Sequence, residues 1–258
     1  MKTFITALMI FAGFELVAQQ MIIAHRGASY LAPENTLASA NLAWELGADA
    51  VEIDVYLASD NQVVAIHDKD TKRVTAGNKT MVVKNTPSLV LRNLDVGSWK
   101  DKKYKGEKIP FLSELIKTVP PNKHLVVEIK AGKEIISHLK RIIEQSGKME
   151  QMIFIAFDWE TILDTQKEFP DNKCYWLSSN KNGLETKIKQ AAEAGLSGIN
   201  LNYKIIDKEV VEQADAHNLE VLAWTVNDPA IGKQLTDIGV KAITTDRPKW
   251  LKEEMAKL

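Results

Sequence analysis

From residue 21 onward, two hydrophobic periods take turns along the chain. Short apolar runs, the length of single strands, fall at residues 21–24, 50–54, 125–129, 152–156, 173–177, 198–201, 220–224 and 241–244. Between them come stretches with the i, i+3, i+4 spacing of half-buried helices, at 36–46, 133–145, 161–169, 185–194, 207–217 and 229–238. Regular βα alternation argues for a parallel sheet, and eight strands is the number that closes a TIM (β/α)8 barrel. No Gly-rich or Pro-rich linker interrupts the pattern, so residues 20–258 are expected to form a single α/β domain.

One run breaks the rhythm. Val63-Val64-Ala65-Ile66-His67 reads as a strand, yet only Ala58-Ser59-Asp60-Asn61-Gln62 separates it from the strand before it. A parallel crossover needs a dozen or more residues, so this connection must be a hairpin. Its return limb brings His67 back towards the level of Asp54. Residues 68–110 then lack clean periodicity and are too long for an ordinary barrel loop. They are expected to be an insertion after the second strand, over the C-terminal mouth, ordered by Leu89, Leu91, Leu94, Val96 and Trp99.

The first nineteen residues differ from the rest. Lys2 precedes an apolar run from Phe4 to Phe14, followed by Leu16-Val17-Ala18-Gln19. This is the form of a signal peptide, and it falls short of the ~20 apolar residues of a membrane span. Residues 1–19 are therefore expected to be removed on export to the periplasm or the medium, with no stable membrane insertion afterwards. The lone Cys174 has no internal disulfide partner and lies in an apolar strand, as a buried inert thiol would. Lys and Arg number 33 against 34 Asp and Glu, so a nucleic-acid partner has no electrostatic support.

Chemistry concentrates where charge interrupts the apolar strands. In Val51-Glu52-Ile53-Asp54-Val55 both acids project to one face, and in Val127-Glu128-Ile129-Lys130 so do Glu128 and Lys130. Charge inside such strands is costly without a counter-charge or a metal. Glu52, Asp54 and Glu128 are hard oxygen donors, which favours one divalent cation, Ca²⁺ or Mg²⁺. The alternative is a set of buried salt bridges to Arg26 and Lys130. His25-Arg26-Gly27 follows the first strand directly, at the rim where barrel active sites lie. A cation, an arginine fork, a lysine and two histidines, His25 and His67, suit attack on a phosphate diester.

The series His25-Arg26-Gly27, Pro33-Glu34-Asn35-Thr36, Glu52-Ile53-Asp54-Val55, His67-Asp68, Ile109-Pro110, Val127-Glu128-Ile129-Lys130, Ala223-Trp224-Thr225-Val226-Asn227 and Thr245-Asp246-Arg247-Pro248 resembles the glycerophosphodiester phosphodiesterase family. The match runs in order from the first strand to near the C-terminus. The resemblance implies a TIM barrel with an insertion after the second strand. It also implies hydrolysis of a small glycerophosphodiester to sn-glycerol 3-phosphate and an alcohol. By position, His25 and His67 would be the acid/base pair, and Glu52, Asp54 and Glu128 the metal ligands. Arg26 and Lys130 would hold the phosphate, and Trp224 would pack on the glycerol carbons or, alternatively, within the barrel core. Glu34, Asn35 and Thr36 read as rim hydrogen bonding and helix capping, and Asp246 as a partner behind a catalytic residue.

Three departures leave the preferred alcohol open. The hairpin turn carries Ser59-Asp60-Asn61-Gln62 where the family often has Asp-Gly, Phe111 stands where a small polar residue is common, and residues 86–94 fit the family's insertion loosely. Two rival functions remain: a phospholipase D-like enzyme acting on lysophospholipids on the same barrel, and a binding protein that has lost turnover.

Overall fold

The computed structural model describes residues 20–258; the expected leader, 1–19, lies outside the described residues. The chain runs β1 (Met21–Ala24), α1 (Leu37–Glu45), β2 (Ala50–Leu57), β3 (Val63–Ala65), α2 (Ser88–Leu91), α3 (Leu112–Thr118) and β4 (His124–Ile129). It continues through α4 (Ile136–Ser146), β5 (Met152–Ala156), α5 (Trp159–Glu168), β6 (Lys173–Ser178), α6 (Leu184–Glu193) and β7 (Gly198–Asn202). The last elements are α7 (Lys208–Asp215), β8 (Glu220–Trp224), α8 (Pro229–Asp237), β9 (Ala242–Thr245) and α9 (Pro248–Met255). All eight expected barrel strands form. Every pairing among them is parallel, and β1 pairs with both β9 and β2, which closes the cylinder. The fold is a TIM barrel.

Strand alternation divides the core in two. Val51, Ile53 and Val55 of β2 face the helices, as do Leu125, Val127 and Ile129 of β4. Ala50 and Val126 point into the cylinder with Ile23, Ile153, Tyr175 and Leu222. The same alternation turns Glu52, Asp54 and Glu128 inward, and the β2–β4 register sets Asp54 beside Glu128. Helix starts are marked by side-chain caps. Thr36 and Ser39 form a capping box at α1, and Asp158, Asp207 and Asp228 cap α5, α7 and α8.

The hairpin forms as the loop length required. β3 runs antiparallel to β2 with Val55 opposite Ala65, and the Ile66 N–H donates to the Asp54 carbonyl at 3.0 Å. The insertion that follows has its own core of Val74, Val83, Leu91, Val96 and Ile109 against Val64 and Ile66. One expectation there fails: Leu89 is 68% exposed, because α2 is a single turn that buries Leu91 and turns Leu89 outward. Three helices, α2, α3 and α9, do not stand out from their surroundings by pattern. Cys174 is fully buried, and burial pushes its thiol up to about 12. No helix among the described residues is long and apolar enough to cross a membrane.

Candidate active site

The loop after β1 is shaped by two residues with positive φ. Arg26 has φ +54°, which aims its backbone N–H at Glu52 Oε2, 2.8 Å away. Gly27 has φ +81°, and a Cβ there would lie 2.5 Å from Ser39 Oγ and 2.6 Å from the Ser39 carbonyl carbon. Only glycine allows the loop to sit this close to the start of α1. The Arg26 side chain then turns across the barrel mouth. Its Nη1 donates to Glu34 Oε1 at 2.9 Å, and its Nε makes an ion-pair contact of 3.3 Å with Asp54 Oδ2.

Beneath Arg26 lie the three acids, all buried. Each offers one oxygen, and these oxygens all lie within 4.8 Å of one another. Asn35, itself at φ +55°, grips Asp54 from both sides: its Nδ2 donates to Oδ2 at 2.8 Å and its Oδ1 accepts from the Asp54 N–H at 3.0 Å. Lys130 Nζ donates to Glu128 Oε1 at 2.5 Å and lies 3.4 Å from Asp54 Oδ1.

Crowding splits the proton affinities of the three acids. Burial works against ionisation of Asp54, but Arg26 and Lys130 outweigh it and hold the carboxyl below its usual range. Burial, then repulsion from Asp54 and Glu128, drives Glu52 well up. Burial and the Asp54 charge raise Glu128 to about 7. Pairing with Arg26 and Lys130 alone leaves work undone. Glu52 Oε1 and Asp54 Oδ1 are buried without a hydrogen-bond partner among the described residues. Buried carboxylate oxygens without donors are costly. The donor set and its two orphaned oxygens therefore fit a divalent cation, which would neutralise acids that otherwise repel.

Each histidine is held by a carboxylate. His25 Nδ1 is 2.7 Å from Asp246 Oδ1, and Asp246 also accepts from Ser29 Oγ at 3.0 Å and Asn227 Nδ2 at 2.6 Å. His67 Nδ1 is 2.7 Å from Asp68 Oδ1. Arg73, from the insertion, ties the second histidine to the first loop. Its Nε donates to Asp68 Oδ2 at 2.7 Å, while Nη1 and Nη2 form a fork on Glu34 at 2.6 and 2.9 Å. Burial lowers the His67 pKa, with the Asp54 charge and the Asp68 bond opposing.

Seven of the eight residues singled out by sequence line one cavity of about 300 Å³ at the barrel mouth: His25, Arg26, Glu52, His67, Glu128, Lys130 and Trp224. The eighth, Asp54, lies beneath, 1% exposed. Trp224 is therefore a wall of the cavity as well as a neighbour of the core. Its Nε1 donates to the Asn200 carbonyl at 3.1 Å, and its ring meets Phe157 edge-on at 5.5 Å.

The sequence profile of the Glycerophosphoryl diester phosphodiesterase family matches residues 25–250. The chain belongs to this family. A glycerophosphodiester phosphodiesterase of Caldanaerobacter subterraneus subsp. tengcongensis is 32% identical over 236 residues, which cover 90% of this chain and 96% of that protein. One from Bacillus subtilis is 26% identical over 247 residues, covering 88% and 84%. Among solved structures, an Oleispira antarctica phosphodiesterase in complex with the product sn-glycerol-3-phosphate superposes with a TM-score of 0.85. It is 29% identical, with coverage of 92% of this chain and 96% of that one. A Thermotoga maritima glycerophosphodiester phosphodiesterase gives 0.75 at 25% identity, covering 91% and 97%.

In this glycerophosphodiester phosphodiesterase, Glu34 and Asn35 do the rim hydrogen bonding expected of them and more, and Asp68 and Arg73 are participants to which sequence reasoning gave no role. Asn35 was read as rim bonding and proves to be the clamp on Asp54. Glu34 joins two arginines, Asp68 holds His67, and Arg73 lies in the aperiodic insertion where nothing marked it. The position of Asp68 beside His67 was the one usable signal, since a carboxylate next to a histidine at a rim is placed to orient it. Asp246 stands behind a catalytic candidate as expected, and that candidate is His25.

Proposed function

We propose that the enzyme hydrolyses small glycerophosphodiesters to sn-glycerol 3-phosphate and an alcohol, in a metal-dependent reaction with His25 and His67 as the acid/base pair. One observation carries the reading: three buried acids whose oxygens lie within 4.8 Å of one another meet at a cavity lined by two carboxylate-held histidines, Arg26 and Lys130. The sn-glycerol-3-phosphate held by the Oleispira antarctica relative supports the choice of product.

Glu52, Asp54 and Glu128 would hold the cation, Ca²⁺ or Mg²⁺. When bound, it supplies Lewis-acid stabilisation of the negative charge on the non-bridging phosphate oxygens. Arg26 and Lys130 donate to those same oxygens from the cavity wall. The Asp246 carboxylate selects the His25 tautomer with its proton on Nδ1, which leaves Nε2 to accept a proton from the attacking hydroxyl. As the new P–O bond forms, the bond to the leaving alcohol breaks. The departing oxygen takes its proton from His67, whose ring Asp68 holds in place. The nucleophile is either water or the glycerol 2-hydroxyl, which gives a cyclic phosphate that water then opens. Release of glycerol 3-phosphate from a panel of choline, ethanolamine, inositol and glycerol diesters tests the activity. In the same assay, full turnover by His25→Ala or His67→Ala would remove that residue from the pair.

A second reading, hydrolysis of lysophospholipids, has one observation in its favour. Tyr30 and Leu31 are 52% and 49% exposed beside an apolar groove of about 290 Å³ that reaches Asp246. Faster turnover of lysophosphatidylcholine than of glycerophosphocholine would favour it. For location, we infer export through residues 1–19 to the periplasm or medium. The N-terminal sequence of protein recovered from outside the cytoplasm checks this, and an N-terminus at Met1 would contradict it.

A further inference from the structure

His67 and Lys130 line two cavities at the mouth of the barrel. The smaller, about 300 Å³, carries the acids and His25 and has an apolar wall of Ile155, Phe157, Leu177 and Trp224. The larger, about 730 Å³, lies under the insertion. It has no acid of the metal-binding group and does not include His25. Its lining brings together four cations, Lys69, Lys72, Arg73 and Lys130, against two carboxylates, Asp68 and Asp70.

Most of these charges are already committed. Asp68 gives one oxygen to His67 and the other to Arg73. Arg73 is engaged by Asp68 and Glu34, and Lys130 by Glu128, with its remaining donors turned to the reacting phosphate. Asp70 Oδ1 accepts the Lys72 backbone N–H at 3.0 Å. The ammonium groups of Lys69 and Lys72 enter no ion pair among the described residues. The larger cavity therefore presents two ammonium groups on flexible stems, against the one carboxylate unpaired among the described residues, that of Asp70, next to a candidate proton donor.

We propose that this cavity receives the leaving alcohol, and that Lys69 and Lys72 select alcohols carrying a second phosphate group. The proposal rests on the phosphodiesterase reading above and adds a substrate class to it. The glycerol phosphate half is small, the same in every substrate, and matched to the smaller cavity with its apolar wall. The leaving half varies and takes the larger, more polar space. With phosphorus at the shared boundary, His67 faces the departing oxygen and His25 the nucleophile. A quaternary ammonium headgroup is recognised by several aromatic faces, and this cavity has one aromatic residue, Tyr56. A phosphate anion meets two free ammonium donors.

The test compares kcat/KM for bis(glycerophospho)glycerol, whose leaving alcohol keeps a phosphodiester, glycerophosphoinositol phosphate, whose leaving alcohol keeps a phosphomonoester, and glycerophosphocholine. At about 20 mM salt, Lys69→Ala/Lys72→Ala should lower the anionic-to-choline ratio roughly three- to tenfold, and about 0.5 M salt should erase most of that difference. Lys69→Glu/Lys72→Glu should push the ratio further towards choline. Both lysines are exposed, so the variants should keep the melting temperature of the parent. A response limited to one anionic substrate supports the subsite and names its phosphate source. An unchanged ratio in both variants, or a wild-type preference for choline at low salt, overturns the proposal. Failure of the wild-type enzyme on all three diesters would instead refute the phosphodiesterase reading itself.

Discussion

Asp246→Asn is the sharpest probe of how His25 is prepared. Burial resists ionisation of Asp246, but the bond to His25 and the donors Asn227 and Ser29 outweigh it and hold the carboxyl at about 2 against 3.8. That span corresponds to at most about 2.5 kcal/mol, and solvent screening of a side chain 30% exposed leaves about 1 kcal/mol. The folded pKa is depressed, so the contribution is complete above the unfolded value and is lost as pH falls through the folded one. The melting-temperature gap between wild type and Asp246→Asn should therefore close as pH falls from 3.8 towards about 2. For a chain of this size the gap should be about 2–4 °C. The catalytic effect should be far larger. An asparagine amide at this position can donate to Nδ1, which moves the ring proton to Nε2 and blocks proton acceptance. Losses of ~10²- to 10⁴-fold in kcat are expected for a wrong tautomer with geometry intact. Initial rates of glycerol 3-phosphate release measure this. A kcat within about threefold of wild type would refute the claim that Asp246 sets the tautomer of His25.

Three other outcomes follow from the geometry. Arg73→Ala removes the fork on Glu34 and the bond to Asp68, and should lower kcat ~10-fold or more; added guanidinium should restore part of it, and Lys at 73 should not replace the fork. An unaltered kcat would make Arg73 purely structural. Glu52→Gln should weaken Ca²⁺ or Mg²⁺ binding at least ~10-fold by calorimetry, without lowering stability in chelator, because it relieves repulsion among buried acids; unchanged affinity would remove Glu52 from the ligand set. Gly27→Ala combines φ +81° with contact on the Ser39 backbone, and should cost about 2–3 kcal/mol in urea unfolding. A cost under about 0.5 kcal/mol would mean that the loop is not held as described.

The barrel and the gathering of the acids and histidines at its mouth were legible because both depend on strand periodicity. A period of two fixes the face of Glu52, Asp54 and Glu128 whatever the rest of the chain does. A five-residue connection forces the hairpin that returns His67 to Asp54. What stayed hidden depends on side chains that reach across elements without a period. Asn35 clamps Asp54 only because its backbone enters the left-handed region, and Arg73 meets Glu34 across 39 positions of sequence. Leu89 failed for a related reason: in an aperiodic segment, apolarity alone does not tell which side of a one-turn helix faces the insertion core.

The central claim is that Glu52, Asp54 and Glu128 hold one divalent cation on which turnover depends. Metal analysis of the purified protein, paired with glycerophosphocholine hydrolysis before and after chelation, tests it most directly. The account predicts one ion per chain, loss of activity with the ion, and recovery when Ca²⁺ or Mg²⁺ is returned, none of which a Glu128→Gln variant should reproduce in full. Undiminished hydrolysis by the chelated, metal-free enzyme would contradict it.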